Sequence, residues 1–180
     1  MSLSNSNLKT MCVIIYKPAG KVLPGLDILD RAYQRNPHGC GLVSPSVFYK
    51  GLSYNSFKKH LKECSIDEPL LIHFRFATHG SIKKSNCHPF YDKETETFFM
   101  HNGVLYGIRP YKDKTDSECA FECFLQPTIK QYGLQSEELG MEVDNIIGYS
   151  KFAFMQGDKV RLFGDYIFHD GYYYSNLRFL

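Results

Sequence analysis

Tryptophan is absent from this chain of 180 residues, and several other features are scarce. No apolar run approaches the roughly 20 residues that a membrane-crossing helix requires. The opening segment, MSLSNSNLKT, is polar and lacks the apolar stretch of a secretory signal. Charge of one sign is also scarce: 21 Lys and Arg stand against 19 Asp and Glu, a net +2. That balance gives no reason to expect nucleic acid or an anionic membrane as a partner. Basic pairs such as Lys58-Lys59 and Lys83-Lys84 read as solvated surface. Six cysteines in a chain of this length do not form a dense disulfide framework. A reduced, cytoplasmic protein is the expectation. Repeats and low-complexity tracts are missing as well.

What is present fits a globular protein. The length suits one domain able to bury most of its apolar surface. Fourteen Phe and thirteen Tyr suggest an aromatic, sheet-rich core. CVIIY reads as a short buried strand. LDILDRAYQ has helical spacing and stops at NPHGCG, where Pro and Gly break it. YNSFKKHLKEC is a second amphipathic helix, with Asn55 or Ser56 as its expected cap. PLLIHFRFAT reads as a strand with two faces: Leu70, Ile72, Phe74 and Phe76 on one, Leu71, His73, Arg75 and Ala77 on the other. TFFMHNG is another strand, ending in an Asn-Gly turn signal. TDSECAFECFL starts with a Thr-x-x-Glu capping box and opens a helix expected to break at Pro127. A short helix over SEELGMEV follows. Closing strands run through YSKFAFM, KVRLFG and GYYYSN, with turns at Gly157-Asp158 and Asp170-Gly171. The sum is an α+β layered domain.

Several residues can be read in two ways. Cys12, in KTMCVIIYK, is either a small buried thiol at a strand end or a nucleophile. Arg75 within an apolar strand needs an anion, either a structural carboxylate or a ligand carboxylate suited to its bidentate fork. Asn102-Gly103 is either a type I′ turn or an oxyanion hole made from an amide and a backbone N–H. Asp116 is either a helix cap or a carboxylate for a ligand ammonium. A zinc site from His73, Cys87, His88 and His101 has no familiar spacing. Cys119 and Cys123 share a helix face with Phe121 and Phe124, so neither a metal nor a cofactor is expected.

The order of the blocks is more specific than any block alone. Cys12, RFATHG, NCHPF, HNG and TDSE together resemble the glutaminase domain of the class II glutamine amidotransferases, which are N-terminal nucleophile hydrolases. The resemblance runs from Cys12 to about Leu125; NPHGCG and DGYYYSN are more weakly similar to stand-alone members. It implies a four-layer αββα sandwich of two antiparallel sheets. It also implies hydrolysis of the side-chain amide of L-glutamine, through a cysteinyl thioester, to glutamate and ammonia. Carried over by motif, Cys12 is the nucleophile, with Asn102 and the Gly103 N–H as oxyanion donors. Arg75, with the Thr78 and His79 region, holds the substrate α-carboxylate, and Asp116 holds its α-ammonium. His88 and His101 are structural members of their motifs. Phe76 stands where some family members carry Trp.

In this family the base is the α-amine of the cysteine itself, which an internal Cys12 lacks. Residues 1–11 are therefore expected to be a leader or propeptide, or partly an expression remnant, ahead of a single domain at 12–180. Start at Met11 followed by methionine removal would also expose Cys12. A separate synthase subunit is the expected ammonia acceptor. Two alternatives stay open: hydrolysis of another γ-glutamyl amide, and a catalytically silent relative that binds glutamine or a protein with Cys12 blocked.

Overall fold

The computed structural model describes residues 12–77 and 80–180; residues 1–11, expected to be a leader, and Thr78 and His79 lie outside the described residues. Two antiparallel sheets stack face to face between helices. In chain order the elements are β1 (Val13–Lys17), α1 (Leu26–Arg35), β2 (Cys40–Val43), β3 (Phe48–Gly51), α2 (Tyr54–Leu61) and β4 (Leu70–Phe74). A 3₁₀ turn at Lys84–Asn86 leads to β5 (Phe90–Asp92) and β6 (Thr97–Asn102). After α3 (Asp116–Ala120), a π-helical turn (Phe121–Leu125), α4 (Gln126–Tyr132) and α5 (Glu137–Ile146) come β7 (Lys151–Gln156), β8 (Lys159–Phe163), β9 (Ile167–His169) and β10 (Tyr172–Tyr174). The first sheet runs β3-β2-β4-β1-β10-β9 and the second β5-β6-β7-β8.

Side-chain alternation builds three apolar layers. One face of β4 sends Leu70, Ile72 and Phe74 against Leu29, Ala32, Phe57 and Leu61 of α1 and α2. The opposite face sends Leu71 against Met100, Ala153 and Met155 of the second sheet. The far face of that sheet packs Phe99, Phe152 and Phe154 on Ala120, Phe121, Leu125, Leu139 and Val143. The result is helix, sheet, sheet, helix: the expected αββα sandwich.

Local expectations meet the structure with four corrections. The strand read through Arg75 ends at Phe74. Arg75 keeps ladder-like backbone bonds, its N–H to Gly39 O at 2.8 Å and its O from His38 N–H at 3.0 Å. The cap of α2 is Ser53, whose side chain accepts from Ser56 N–H, not Asn55 or Ser56. Pro127 does not break its helix; the wider π turn just before it, closed by Gln126 N–H to Phe121 O, loosens the carbonyl row that the proline ring would strike. Strands β2, β3, β5 and β9 were not expected. Gly41 in β2 explains one omission: a Cβ there would sit 1.9 Å from His88 O, so the strand gives up a β-former for close backbone approach.

Candidate active site

The start of β1, the end of β4, the end of β6 and the start of α3 meet at one cleft of about 330 Å³. Cys12 and Arg75 line it, with Gly103, Asp116, His88 and His101. The pairing Val13↔Phe74 brings the two chain segments together, since one more step along each strand reaches Cys12 and Arg75. Cys12 Sγ is held by main chain on both sides. It accepts from Phe76 N–H at 3.2 Å and donates to Phe76 O at 3.4 Å. Burial pushes this thiol above its ordinary range, against the opposing pull of the Phe76 hydrogen bond and the Arg75 charge. A thiol in that state needs a base before it can attack.

The Arg75 side chain is nearly buried and donates to Ser81 O at 3.2 Å, which also accepts from Asn86 Nδ2 at 2.9 Å. Ser81 thus ties Arg75 to Asn86. Asp116 opens α3. Its Oδ2 accepts from Leu105 N–H at 2.9 Å and its Oδ1 from Ser117 N–H at 2.8 Å. The cap of this helix is Thr115, accepting from Glu118 N–H at 3.2 Å, as the capping-box pattern implied. Asp116 therefore does not serve as the cap.

Gly103 has a φ of +142°, and a Cβ there would lie 2.2 Å from Ser150 Oγ. Both the backbone conformation and the space demand glycine. Asn102-Gly103 is not a hairpin turn, because the chain passes from β6 into a loop toward α3. Asn102 itself is 1% exposed, and its Nδ2 donates to Ser175 Oγ at 2.7 Å. It adjoins Gly103, which lines the cleft, and keeps one Nδ2 hydrogen for another acceptor.

Three buried histidines lie beside the cleft. The His73 ring lies 4.3 Å from that of His88, tilted by 37°, and His73 Nε2 bonds to His101 O at 3.2 Å, joining the two sheets. His101 Nδ1 bonds to Ser117 Oγ at 2.7 Å. Burial holds His73 down to about 3 and His101 down to about 4, with His88 also well below its usual value, so all three are neutral near pH 7. Among the described residues, no group of three or more His, Cys, Asp or Glu side chains is arranged to hold a metal ion.

The family profile described as class II glutamine amidotransferases matches residues 56–159. The chain belongs to the class II glutamine amidotransferases. Among relatives, a glutamine–fructose-6-phosphate aminotransferase (isomerizing) of Methanococcus maripaludis is 42% identical over 112 residues, covering 57% of this chain and 18% of that protein. The protein named "Probable glutamine amidotransferase DUG3" of Saccharomyces cerevisiae is 29% identical over 102 residues, 48% of this chain and 28% of its own length. The chain thus matches less than a third of either relative. In three dimensions it resembles the glutamine phosphoribosylpyrophosphate amidotransferase of B. subtilis with a TM-score of 0.57 and 16% identity. That match covers 91% of this chain and 41% of the other, and it supports the N-terminal nucleophile hydrolase fold.

Within this amidotransferase domain, Cys12, Arg75, Gly103 and Asp116 converge on the cleft from separate blocks, and Asn102 adjoins the lining residue Gly103 without lining the cleft itself. Thr78 and His79, expected at the substrate carboxylate, lie outside the described residues. Sequence reasoning missed Ser175 and Asn176, which bond to Asn102 Nδ2 and to Cys12 O. Their only signal was the tail DGYYYSN. Among the described residues, no helix is long and apolar enough to cross a membrane.

Proposed function

We propose that this domain hydrolyses the side-chain amide of L-glutamine to glutamate and ammonia. The observation that carries the reading is the placement of Cys12 Sγ, fixed by Phe76 main chain, in one cleft with a guanidinium and a carboxylate. Arg75 takes the substrate α-carboxylate through charge-assisted hydrogen bonds, with help from Thr78 and His79. Asp116 takes the α-ammonium. Glutamine so held extends its amide toward Cys12, whereas asparagine is one methylene short.

With residues 1–11 removed, the Cys12 α-amine takes the thiol proton and Sγ bonds to the amide carbon. The oxyanion is met by the Gly103 N–H and the remaining Nδ2 hydrogen of Asn102, each donor contributing about 3 kcal/mol. The resulting ammonium returns its proton to the leaving nitrogen, the C–N bond breaks, and ammonia departs. Water, deprotonated by the same amine, then cleaves the thioester and releases glutamate and the thiol. The high pKa of the buried Cys12 thiol supports the need for such a base. A separate synthase subunit accepts the ammonia.

The test joins intact mass to turnover. Protein whose mass corresponds to a chain beginning at Cys12 is expected to release equal amounts of glutamate and ammonia from glutamine, and little from asparagine. Cys12→Ala should abolish this. Retained hydrolysis in that variant would overturn the proposal.

A further inference from the structure

The last strand does more at its end than complete the first sheet. Along β10 the register is Ile15↔Tyr174 and Tyr16↔Tyr173. One step further, Ser175 N–H donates to Ile14 O at 2.9 Å in the ordinary ladder manner. The return bond is different: Ile14 N–H donates at 2.8 Å to the Ser175 hydroxyl, where a regular ladder would use the Ser175 carbonyl. That substitution places Oγ between the sheets. There it also accepts from Asn102 Nδ2, at the end of β6 in the second sheet. The next residue, Asn176, donates its Nδ2 to Cys12 O at 2.9 Å.

Two adjacent side chains therefore touch both ends of the chemistry. Ser175 is 3% exposed and Asn102 1% exposed, so water does not compete freely for the bond between them. An amide nitrogen has two hydrogens. With one bonded to Ser175 Oγ, rotation of the Asn102 side chain is restrained and the direction of the second is fixed. A donor aimed in advance at developing negative charge needs no reorganisation when the charge appears.

We propose that Ser175 is a positioning residue for the reaction, acting through Asn102, while Asn176 anchors the backbone of the nucleophile. The proposal rests on the oxyanion role given to Asn102 above. It assigns a function to the C-terminal tail, which lies outside the 56–159 region matched by the family profile.

The test is a double-mutant cycle on glutaminase turnover with Ser175→Ala, Asn102→Ala and the pair, in protein confirmed to begin at Cys12. Asn102→Ala is expected to lower kcat about 100- to 1,000-fold, the usual loss for one oxyanion donor. Ser175→Ala should lower kcat about tenfold with KM little changed, because the donor is still present but no longer aimed. The double variant should fall no further than Asn102→Ala alone, since a residue acting through another adds nothing once that other is gone. Losses that multiply would overturn the proposal, as would an unchanged kcat in Ser175→Ala beside a damaged Asn102→Ala. An unchanged kcat in Asn102→Ala would instead remove the oxyanion role itself, and the proposal with it. Ser175→Cys, similar in size but a weak acceptor, takes the same place in the cycle if the alanine variant does not fold.

Discussion

The outer layers of the sandwich and the layer between its sheets handle polar groups in opposite ways. On the helix side of the first sheet, the buried charge is Lys17, fully enclosed at the end of β1 remote from the cleft. Its Nζ donates to Pro18 O, Lys21 O and Ile66 O at 2.8–3.1 Å, which uses every ammonium hydrogen. Between the sheets, beside Cys12, the buried polar groups are His73, His88, His101 and Asn102. Several of their atoms, both His88 ring nitrogens among them, have no hydrogen-bond partner among the described residues. Lys17 is fully satisfied, as the cost of leaving a buried charge unpaired demands. Apart from Asn36 Oδ1 at the end of α1, the groups left incomplete lie at or beside the cleft, so the middle layer carries the candidate site and the outer layers carry the fold.

The sharpest way to break that contrast is to cut the outer layers. Phe57 packs against Tyr54 and Phe74 under α2, and Phe154 against Phe99, Phe152 and Phe163 in the second sheet; both are fully buried. Phe57→Ala or Phe154→Ala should cost about 3–5 kcal/mol of stability. Denaturant titration measures that loss, and kcat of the folded fraction should not change. A fall in kcat without loss of stability would erase the distinction.

Next in size is a change inside the middle layer. Asp116→Asn keeps an acceptor for Leu105 N–H but removes the charge proposed to hold the substrate ammonium. The expected loss is about 1.5–3 kcal/mol, the worth of a charged hydrogen bond, seen as a rise in KM for glutamine of roughly 10- to 150-fold. Stability should also fall, by about 1 kcal/mol, because Ser117 N–H loses its Oδ1 acceptor. An unchanged KM would take Asp116 out of substrate binding.

The strand β4 shows how far the sequence could be read. Its alternation correctly sorted Leu70, Ile72 and Phe74 from Leu71 and His73, because period-two burial is a property of the strand alone. Where it ends was not legible. Just past that end, the Phe76 main chain bonds to Cys12 Sγ, 64 positions away in sequence. The same limit hid β2, where Gly41 answers to His88 O, and hid Ser175, whose partners Ile14 and Asn102 come from both sheets. The site blocks were legible only as a family pattern, since each alone had an equally good structural reading. The turn reading of Asn102-Gly103 failed because β6 leads into a loop, and the bond from Asn102 to Ser175 belonged to neither reading.

Acid should attack the middle layer before the outer ones. In the unfolded chain a histidine binds a proton near pH 6.5. In the folded protein burial keeps His101 neutral to about 4 and His73 to about 3. Below 6.5 the unfolded state thus binds more protons, and stability falls as pH falls. The slope is at most about 1.4 kcal/mol per pH unit for each histidine, down to its folded pKa. Above 6.5 these groups contribute no pH dependence. Melting temperatures from pH 7.5 to 4 should therefore be flat and then drop, and His73→Gln should make the drop shallower. An identical acid limb in that variant would place the lability elsewhere.

The smallest effect expected lies on the boundary between the two regions. Thr115 caps α3 through Glu118 N–H, and the next residue is Asp116, so one helix terminus serves both fold and cleft. Thr115→Ala should cost about 1 kcal/mol of stability, a normal value for a lost cap. The first turn of α3 is also held by Asp116 Oδ1 to Ser117 N–H and by His101 to Ser117 Oγ, which do not involve Thr115. The terminus should fray without moving the carboxylate far, and KM should rise by less than for Asp116→Asn. Thr115→Ser, which keeps the capping oxygen, should restore both quantities. If Thr115→Ala raised KM as much as Asp116→Asn while stability stayed constant, the helix start would be a substrate-binding element rather than a support, and the line between fold and site would have to be drawn outside α3.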